Sequence, residues 1–126
     1  MQTKIISHAN AKLNLGLKII NKRSDGFHNI NSIFIEVEFF DRISFCPSNK
    51  FKLTCNENFI PVDESNTIYK AYYELKRKYP FKKNYEINLL KNIPIGSGLG
   101  GGSSNAACVL KTLNKIENLN LSTLEL

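Results

Sequence analysis

Pro94-Ile95-Gly96-Ser97-Gly98-Leu99-Gly100-Gly101-Gly102-Ser103-Ser104-Asn105-Ala106-Ala107 is the stretch that decides how this chain is read. Five of the seven glycines of the 126-residue sequence fall within the seven positions from Gly96 to Gly102. Without Cβ atoms, successive backbone N–H groups can turn into one concavity, and a helix that starts just after them adds the positive end of its dipole. Tyr85 to Leu90 before the loop reads as a strand, and Ala106 to Ile116 after it reads as a helix. The order strand, glycine loop, helix describes a cradle for a phosphate chain.

Spacing sorts the known loops of this kind. The pattern G-x-x-x-x-G-K-[ST] fails, because Gly101 is followed by Gly102 and Ser103 with no lysine. Gly96 to Gly101 satisfies G-x-G-x-x-G, but the loop comes late in the chain and the acid that should bind a ribose about 20 residues on is hard to place, with Leu121 and Ser122 in that region.

Working outward, Leu13, Leu15, Leu17 and Ile19 alternate with Lys12, Asn14, Gly16 and Lys18, which predicts a half-buried strand with Lys12 and Asn14 on its polar face. Asn21 to His28, with Asp25-Gly26 inside it, predicts a loop. A second strand is expected over Ile33 to Phe40, ended by a turn at Phe40-Asp41-Arg42. Arg42 to Cys46 and Phe51 to Cys55, joined by Pro47 to Lys50, are expected to form a hairpin. Asp63-Glu64-Ser65-Asn66 marks a helix start, and Ile68, Ala71, Tyr72 and Leu75 continue it until Pro80. Ser122 is placed as a second N-cap. The expected fold class is α+β, with a mixed or antiparallel sheet packed against helices in a single domain over residues 1–126.

Composition narrows the function. Seventeen Lys and Arg against eleven Asp and Glu give a formal charge of +6, which favours an anionic partner, either a nucleic acid or an anionic small substrate, without choosing between them. Cys46, Cys55 and Cys108 are odd in number and lack C-x-x-C spacing, so neither a disulfide framework nor a zinc site is expected, and no metal-ligand set is assigned. No stretch approaches the ~20 apolar residues of a membrane span, and the amino terminus has no signal-like apolar core, so a cytoplasmic protein without a membrane partner is expected.

The loop resembles the P-x-x-x-G-L-G-x-x-S-S-x-A-A loop of the kinase superfamily that includes galactokinase, homoserine kinase and mevalonate kinase. Within it, Ala11-Lys12-Leu13-Asn14-Leu15 and Arg23-Ser24-Asp25-Gly26-Phe27-His28 are similar to the A-K-[IL]-N-L strand and R-x-D-G-[YF]-H loop of the 4-diphosphocytidyl-2-C-methyl-D-erythritol kinase family. The resemblance implies the amino-terminal domain of these enzymes, a ribosomal protein S5 domain 2-like fold. The activity it implies is ATP-dependent phosphorylation of the 2-hydroxyl of a cytidine-diphosphate-linked methylerythritol, with ATP as co-substrate and Mg²⁺ as its companion ion.

By the same resemblance Lys12 sits at the active centre, where a fixed ammonium stabilises charge developing on a transferring phosphoryl group. Lysine on a strand's polar face is ordinarily a solvated charge, and the flanking motif is what argues for more. Asn14 is placed toward the substrate, or else is an exposed strand amide. Phe27 would stack on the cytosine and His28 would hydrogen-bond it, against the alternative of plain loop surface. The ATP-binding stretch is Pro94, Ile95, Gly96, Ser97, Gly98, Leu99, Gly100, Gly101, Gly102, Ser103 and Ser104, with either serine able to cap the helix or to touch a phosphate or Mg²⁺.

The family's proton-accepting aspartate, carried in a G-A-D-V-P-like segment, has no counterpart here, and Asp25, Asp41 and Asp63 sit in other motifs. The resemblance therefore implies a truncated amino-terminal domain with the second domain absent, and whether a complementing chain supplies the rest stays open. Two alternatives stay open. One is a kinase of the same superfamily with another small-molecule acceptor. The other is a small basic RNA-binding protein using Tyr69, Tyr72, Tyr73 and Tyr79 as a stacking platform, which leaves Lys12, Asn14, Phe27 and His28 unexplained.

Overall fold

The computed structural model describes residues 3–126. Its longest feature is an antiparallel pairing of β1 (Ile5–Lys22) with β2 (His28–Ser48), both longer than the alternation alone marked out. The turn expected at Phe40-Asp41-Arg42 is not there. Asn10 pairs with Phe40 and Ala11 with Val37, so Glu38 and Phe39 are taken up in a bulge and β2 continues through it. A bulge bends a strand without ending it, and this one lets Asp41 turn fully inward.

The expected hairpin is also corrected. β3 (Lys52–Cys55) does not pair with β2, because β4 (Asn84–Leu90) lies between them in the order β1-β2-β4-β3. β4 runs antiparallel to β2, with Ile43 opposite Leu89 and Phe45 opposite Ile87, and parallel to β3. Those four side chains are 0–2% exposed, whereas β3 buries only Leu53, so the more apolar strand takes the central place. A parallel pair needs a crossover, and α1 (Thr67–Lys78) supplies it.

Helices α1 and α2 (Gly101–Ile116) cover one face of the sheet, where Ile68, Tyr72 and Leu75 meet Val109 and Leu113 over Phe45 and Ile87. The other face of β4 carries Glu86 and Asn88. The chain is α+β. Tyr72 is fully buried and packs with Phe51 and Tyr73, and Tyr69 meets the same two rings, so one ring of the suggested stacking platform is core and the others form its rim. Among the described residues no helix is long and apolar enough to cross a membrane.

α1 begins where the helix-start signal placed it. The Asn66 side chain accepts from the Ile68 N–H at 2.8 Å and donates to the Pro61 carbonyl at 2.7 Å. Asn66→Ala removes both bonds and is expected to cost about 1–2 kcal/mol, read as a lower urea midpoint with an unchanged slope. At the other end of the chain the N-cap expected at Ser122 opens a turn and no helix: its N–H and hydroxyl both donate to Glu125 Oε2, at 2.8 and 2.7 Å, and the Glu125 N–H returns to the Ser122 carbonyl at 3.1 Å.

Beyond Ala11 and Val37 the two strands form a ribbon that no helix covers. Leu13, Leu15, Ile33 and Ile35 share one face and are 38–64% exposed, so the half-buried strand expected there is open within this chain. Gly16, at φ 62°, sits in a second bulge, after which Leu17 pairs with Ser32. One extra residue reverses the facing of a period-2 strand, so Leu17 and Ile19 point to the side of Asn14, contrary to the alternation read from sequence.

Candidate active site

The loop leaves β4 at Lys91 and enters α2 at Gly101. Helix formation starts five residues earlier than the Ala106 expected from sequence, because Gly100 at φ 72° serves as the cap and the Ser104 N–H already reaches its carbonyl at 2.9 Å. Gly96 and Gly98 hold φ values of 69° and 74°. Left-handed residues alternating with ordinary ones turn backbone N–H groups toward one side, as an anion cradle requires.

Strand β1 is laced to this loop. The Lys12 N–H donates to the Leu99 carbonyl at 2.9 Å, and the Ser104 hydroxyl donates to the Asn10 carbonyl at 2.6 Å. Lys12 lays its alkyl chain over Gly100, where an added Cβ would come within 3.2 Å of its Cγ and Cε. Its ammonium donates to Asn14 Oδ1 at 2.5 Å and stands 5.5 Å from the centre of the Phe34 ring. The Asn14 amide in turn donates to Ser32 Oγ at 3.1 Å. Asn14 thus holds Lys12, and Ser32 and Phe34 complete an arrangement that alternation alone gave no reason to single out.

The loop is the shared wall of two clefts. One, of about 520 Å³, is lined by Ile60, Pro61, Asn66, Thr67 and Lys91 together with the glycine loop. The amino-terminal ends of α1 and α2 both border it, tied by a 2.9 Å bond from the Thr67 hydroxyl to the Gly102 carbonyl. Two helix ends and apolar walls suit a phosphate chain attached to a flat base. The other cleft, of about 620 Å³, holds Lys12, Asn10, Glu36 and Lys111 on the far side of Gly100 and Ser103. Cys108 also borders it, and burial pushes its thiol up, away from thiolate chemistry.

The serines divide their roles. Ser104 is committed to β1, and Ser97 donates to the Pro94 carbonyl at 2.7 Å. Ser103 is exposed, borders both clefts, and is the loop hydroxyl best placed for a ligand. Neither Ser103 nor Ser104 caps α2.

Phe27 and His28 lie elsewhere. His28 pairs with Lys22 at the ribbon's tip, while Lys12 pairs with Glu36, eight residues of β2 away (36 − 28), or roughly 26 Å along the strand. The Phe27 ring is 71% exposed there, on a turn braced by the Arg23–Asp25 ion pair. The structure gathers Lys12, Asn14 and the loop, and leaves Phe27 and His28 outside that cluster.

Beneath the loop is a group that sequence reasoning passed over as a turn residue. Asp41 Oδ1 accepts from the backbone N–H groups of Asn92 at 2.7 Å and Ile93 at 2.8 Å. Its Oδ2 accepts from Lys91 Nζ at 2.5 Å and Asn105 Nδ2 at 2.8 Å. Burial alone would raise this carboxyl, but the Lys91 ammonium and the three N–H donors outweigh it and hold Asp41 below the ordinary carboxylate range.

Comparison with known proteins places this geometry. Residues 66–126 match the family described as GHMP kinases N terminal domain. A solved 4-(cytidine 5'-diphospho)-2C-methyl-D-erythritol kinase superposes over 94% of this chain with a TM-score of 0.77 and 31% identity, and 42% of that chain is covered. The fold is that of the GHMP kinase amino-terminal domain. A homoserine kinase from Cytophaga hutchinsonii has a similar fold, at 18% identity and a TM-score of 0.66 over 94% of this chain and 37% of its own. In sequence the chain is 41% identical over 118 residues to the 4-diphosphocytidyl-2-C-methyl-D-erythritol kinase of Prosthecochloris aestuarii, covering 94% of this chain and 41% of that protein. The enzyme of the same name from Enterococcus faecalis is 42% identical over 125 residues, covering 98% of this chain and 44% of its own. The chain spans about two-fifths of the length of the curated relatives it matches.

Proposed function

We propose that these residues form the nucleotide-binding part of an ATP-dependent small-molecule kinase whose acceptor is 4-diphosphocytidyl-2-C-methyl-D-erythritol, phosphorylated at its 2-hydroxyl. The observation that carries this reading is the glycine loop standing as a common wall between two clefts, with Lys12 laid across it from the second. The nucleoside of ATP occupies the cleft walled by Ile60 and Pro61, and its phosphates lie over the loop N–H groups and the start of α2. A γ-phosphoryl group at Gly100 then meets the Lys12 ammonium, which neutralises charge as the group transfers. Asn14 and Phe34 fix that ammonium's position.

Mg²⁺ would neutralise the phosphates, and Ser103 is the hydroxyl that would reach it. Phe27 offers an exposed ring face to a pyrimidine and His28 an edge donor, and serving one acceptor together with Lys12 requires the ribbon's tip to bend toward the Lys12 cleft, because the strand between them is longer than the acceptor. The acid across the strand from Lys12 is Glu36, already engaged by the Asn10 amide at 2.5 Å. By the resemblance the proton-accepting aspartate has no counterpart among these residues, so they are expected to bind nucleotide without turning it over on their own.

Calorimetric titration tests the proposal. Mg·ATP is expected to bind the chain, and Phe27→Ala to weaken the cytidine-linked acceptor about tenfold, the loss of one base stack, while leaving ATP affinity unchanged. Absence of ATP binding would remove the kinase reading. Equal affinity for the acceptor with and without its cytidine would overturn the substrate.

A further inference from the structure

The eleven residues from Pro94 to Ser104 hold few bonds of their own, chiefly Ser97 Oγ to the Pro94 carbonyl and the Leu99 N–H to Ser97 Oγ. A glycine-rich segment with three left-handed residues has many conformations open to it, and ordering it on ligand arrival opposes binding. Something outside the loop must hold it. Immediately before it, the N–H groups of Asn92 and Ile93 are bound by Asp41 Oδ1, and immediately after it, the Asn105 amide is bound by Asp41 Oδ2. Both ends of the loop are thus tied to one carboxylate on a third element, β2.

Lys91 extends the arrangement under the loop's exit. Its ammonium bridges Asp41 and Asn105, at 2.5 and 3.4 Å, and lies 2.7 Å from where a Cβ on Gly101 would be. Asp41 is fully buried and the Lys91 side chain is 8% exposed, so water does not compete for these bonds.

We infer that Asp41 is a positioning residue that clamps both ends of the glycine loop, with Lys91 and Asn105 as its partners, and keeps the anion cradle formed before any ligand arrives. Its value for nucleotide binding rests on the kinase reading above, whereas the clamp itself does not.

Amide hydrogen exchange on the free chain tests the clamp directly. The Lys12 N–H, held by the Leu99 carbonyl, and the Ser104 N–H, held by the Gly100 carbonyl, report loop attachment, while Phe45 and Ile87 report the core. Asn105→Ala removes the exit tie and the long bond from Lys91, leaves the entry tie at Asn92 and Ile93 intact, and is expected to speed exchange at Lys12 and Ser104 about tenfold, with Phe45 and Ile87 within about twofold of the parent. Asp41→Asn, which weakens both ties, should widen the same contrast, and if it fails to fold the Asn105→Ala result decides. Equal acceleration in loop and core, or none in the loop, would overturn the clamp and leave the network a general stabiliser. In the parent chain, Mg·ATP should slow exchange over residues 96–104. Failure there would remove the nucleotide reading and leave the clamp result standing.

Discussion

Gly100→Val is expected to weaken Mg·ATP binding on the order of a hundredfold, while Gly102→Ala, two residues away, leaves affinity near the parent value. Gly100 has a φ of 72°, where a β-branched residue is strained, and its missing Cβ is the space over which Lys12 lies, 3.2 Å from Cγ and Cε. Valine would have to displace the lysine chain or move the loop off β1, breaking the bond from the Lys12 N–H to Leu99. Strain of this kind costs about 1–3 kcal/mol, and loss of the preformed cradle adds to it, so roughly two decades of affinity are at stake. At Gly102 the neighbour of an added Cβ is Thr67 Oγ1 at 3.8 Å, an ordinary contact, and the position is helical. Alanine there stabilises the helix if anything. Titration of both variants checks the contrast. Equal losses at the two positions would mean that loop composition matters and the Gly100–Lys12 contact does not.

That contrast separates what the chain discloses locally from what it does not. The loop, the α1 start and the Asp25-Gly26 turn were legible because each is written in adjacent residues whose backbone demands are their own. The place of β4 between β2 and β3 was not, since Pro47 to Lys50 signals a reversal whether the next strand pairs with its predecessor or passes beyond a later one. The Phe40-Asp41-Arg42 segment misled for a related reason. Aspartate in a strand ordinarily marks its end, and only the distant Lys91, Asn92, Ile93 and Asn105 explain a buried one. Gly16 hid the reversal of facing in β1, which a strict alternation cannot express. In the site, motifs marked Lys12 and the glycines, but the grip of Asn14 on Lys12 and the distance of Phe27 and His28 from it depend on strand register, which nonlocal pairing sets.

Lys91→Met is expected to destabilise the chain by about 3–5 kcal/mol at neutral pH, a large part of the ~5–15 kcal/mol that holds a typical domain together. The substitution preserves bulk and removes the ammonium, leaving the Asp41 carboxylate buried on two backbone N–H groups and the Asn105 amide. Its pH dependence identifies the cause. In the parent protein the Asp41 carboxyl is held below its ordinary value of 3.8, so the stability it contributes is complete above about pH 4 and is lost as pH falls through the lower native value. In the variant the burial that raises the carboxyl has lost its strongest opponent, so protonation comes at higher pH and relieves the unpaired charge. The stability gap between the two proteins should therefore be widest at pH 7 and close as pH falls below about 4, measured by urea unfolding at each pH. A gap that stays constant with pH would assign the loss to packing. Removing both charges with Asp41→Leu and Lys91→Met together tests the remaining role of the carboxylate. If Asp41 served only to neutralise Lys91, the double variant would recover stability, as buried ion pairs replaced by apolar residues often do. Because Asp41 also satisfies the N–H groups of Asn92 and Ile93, which leucine leaves unpaired and buried beneath the loop, the double variant is expected to be less stable than Lys91→Met alone.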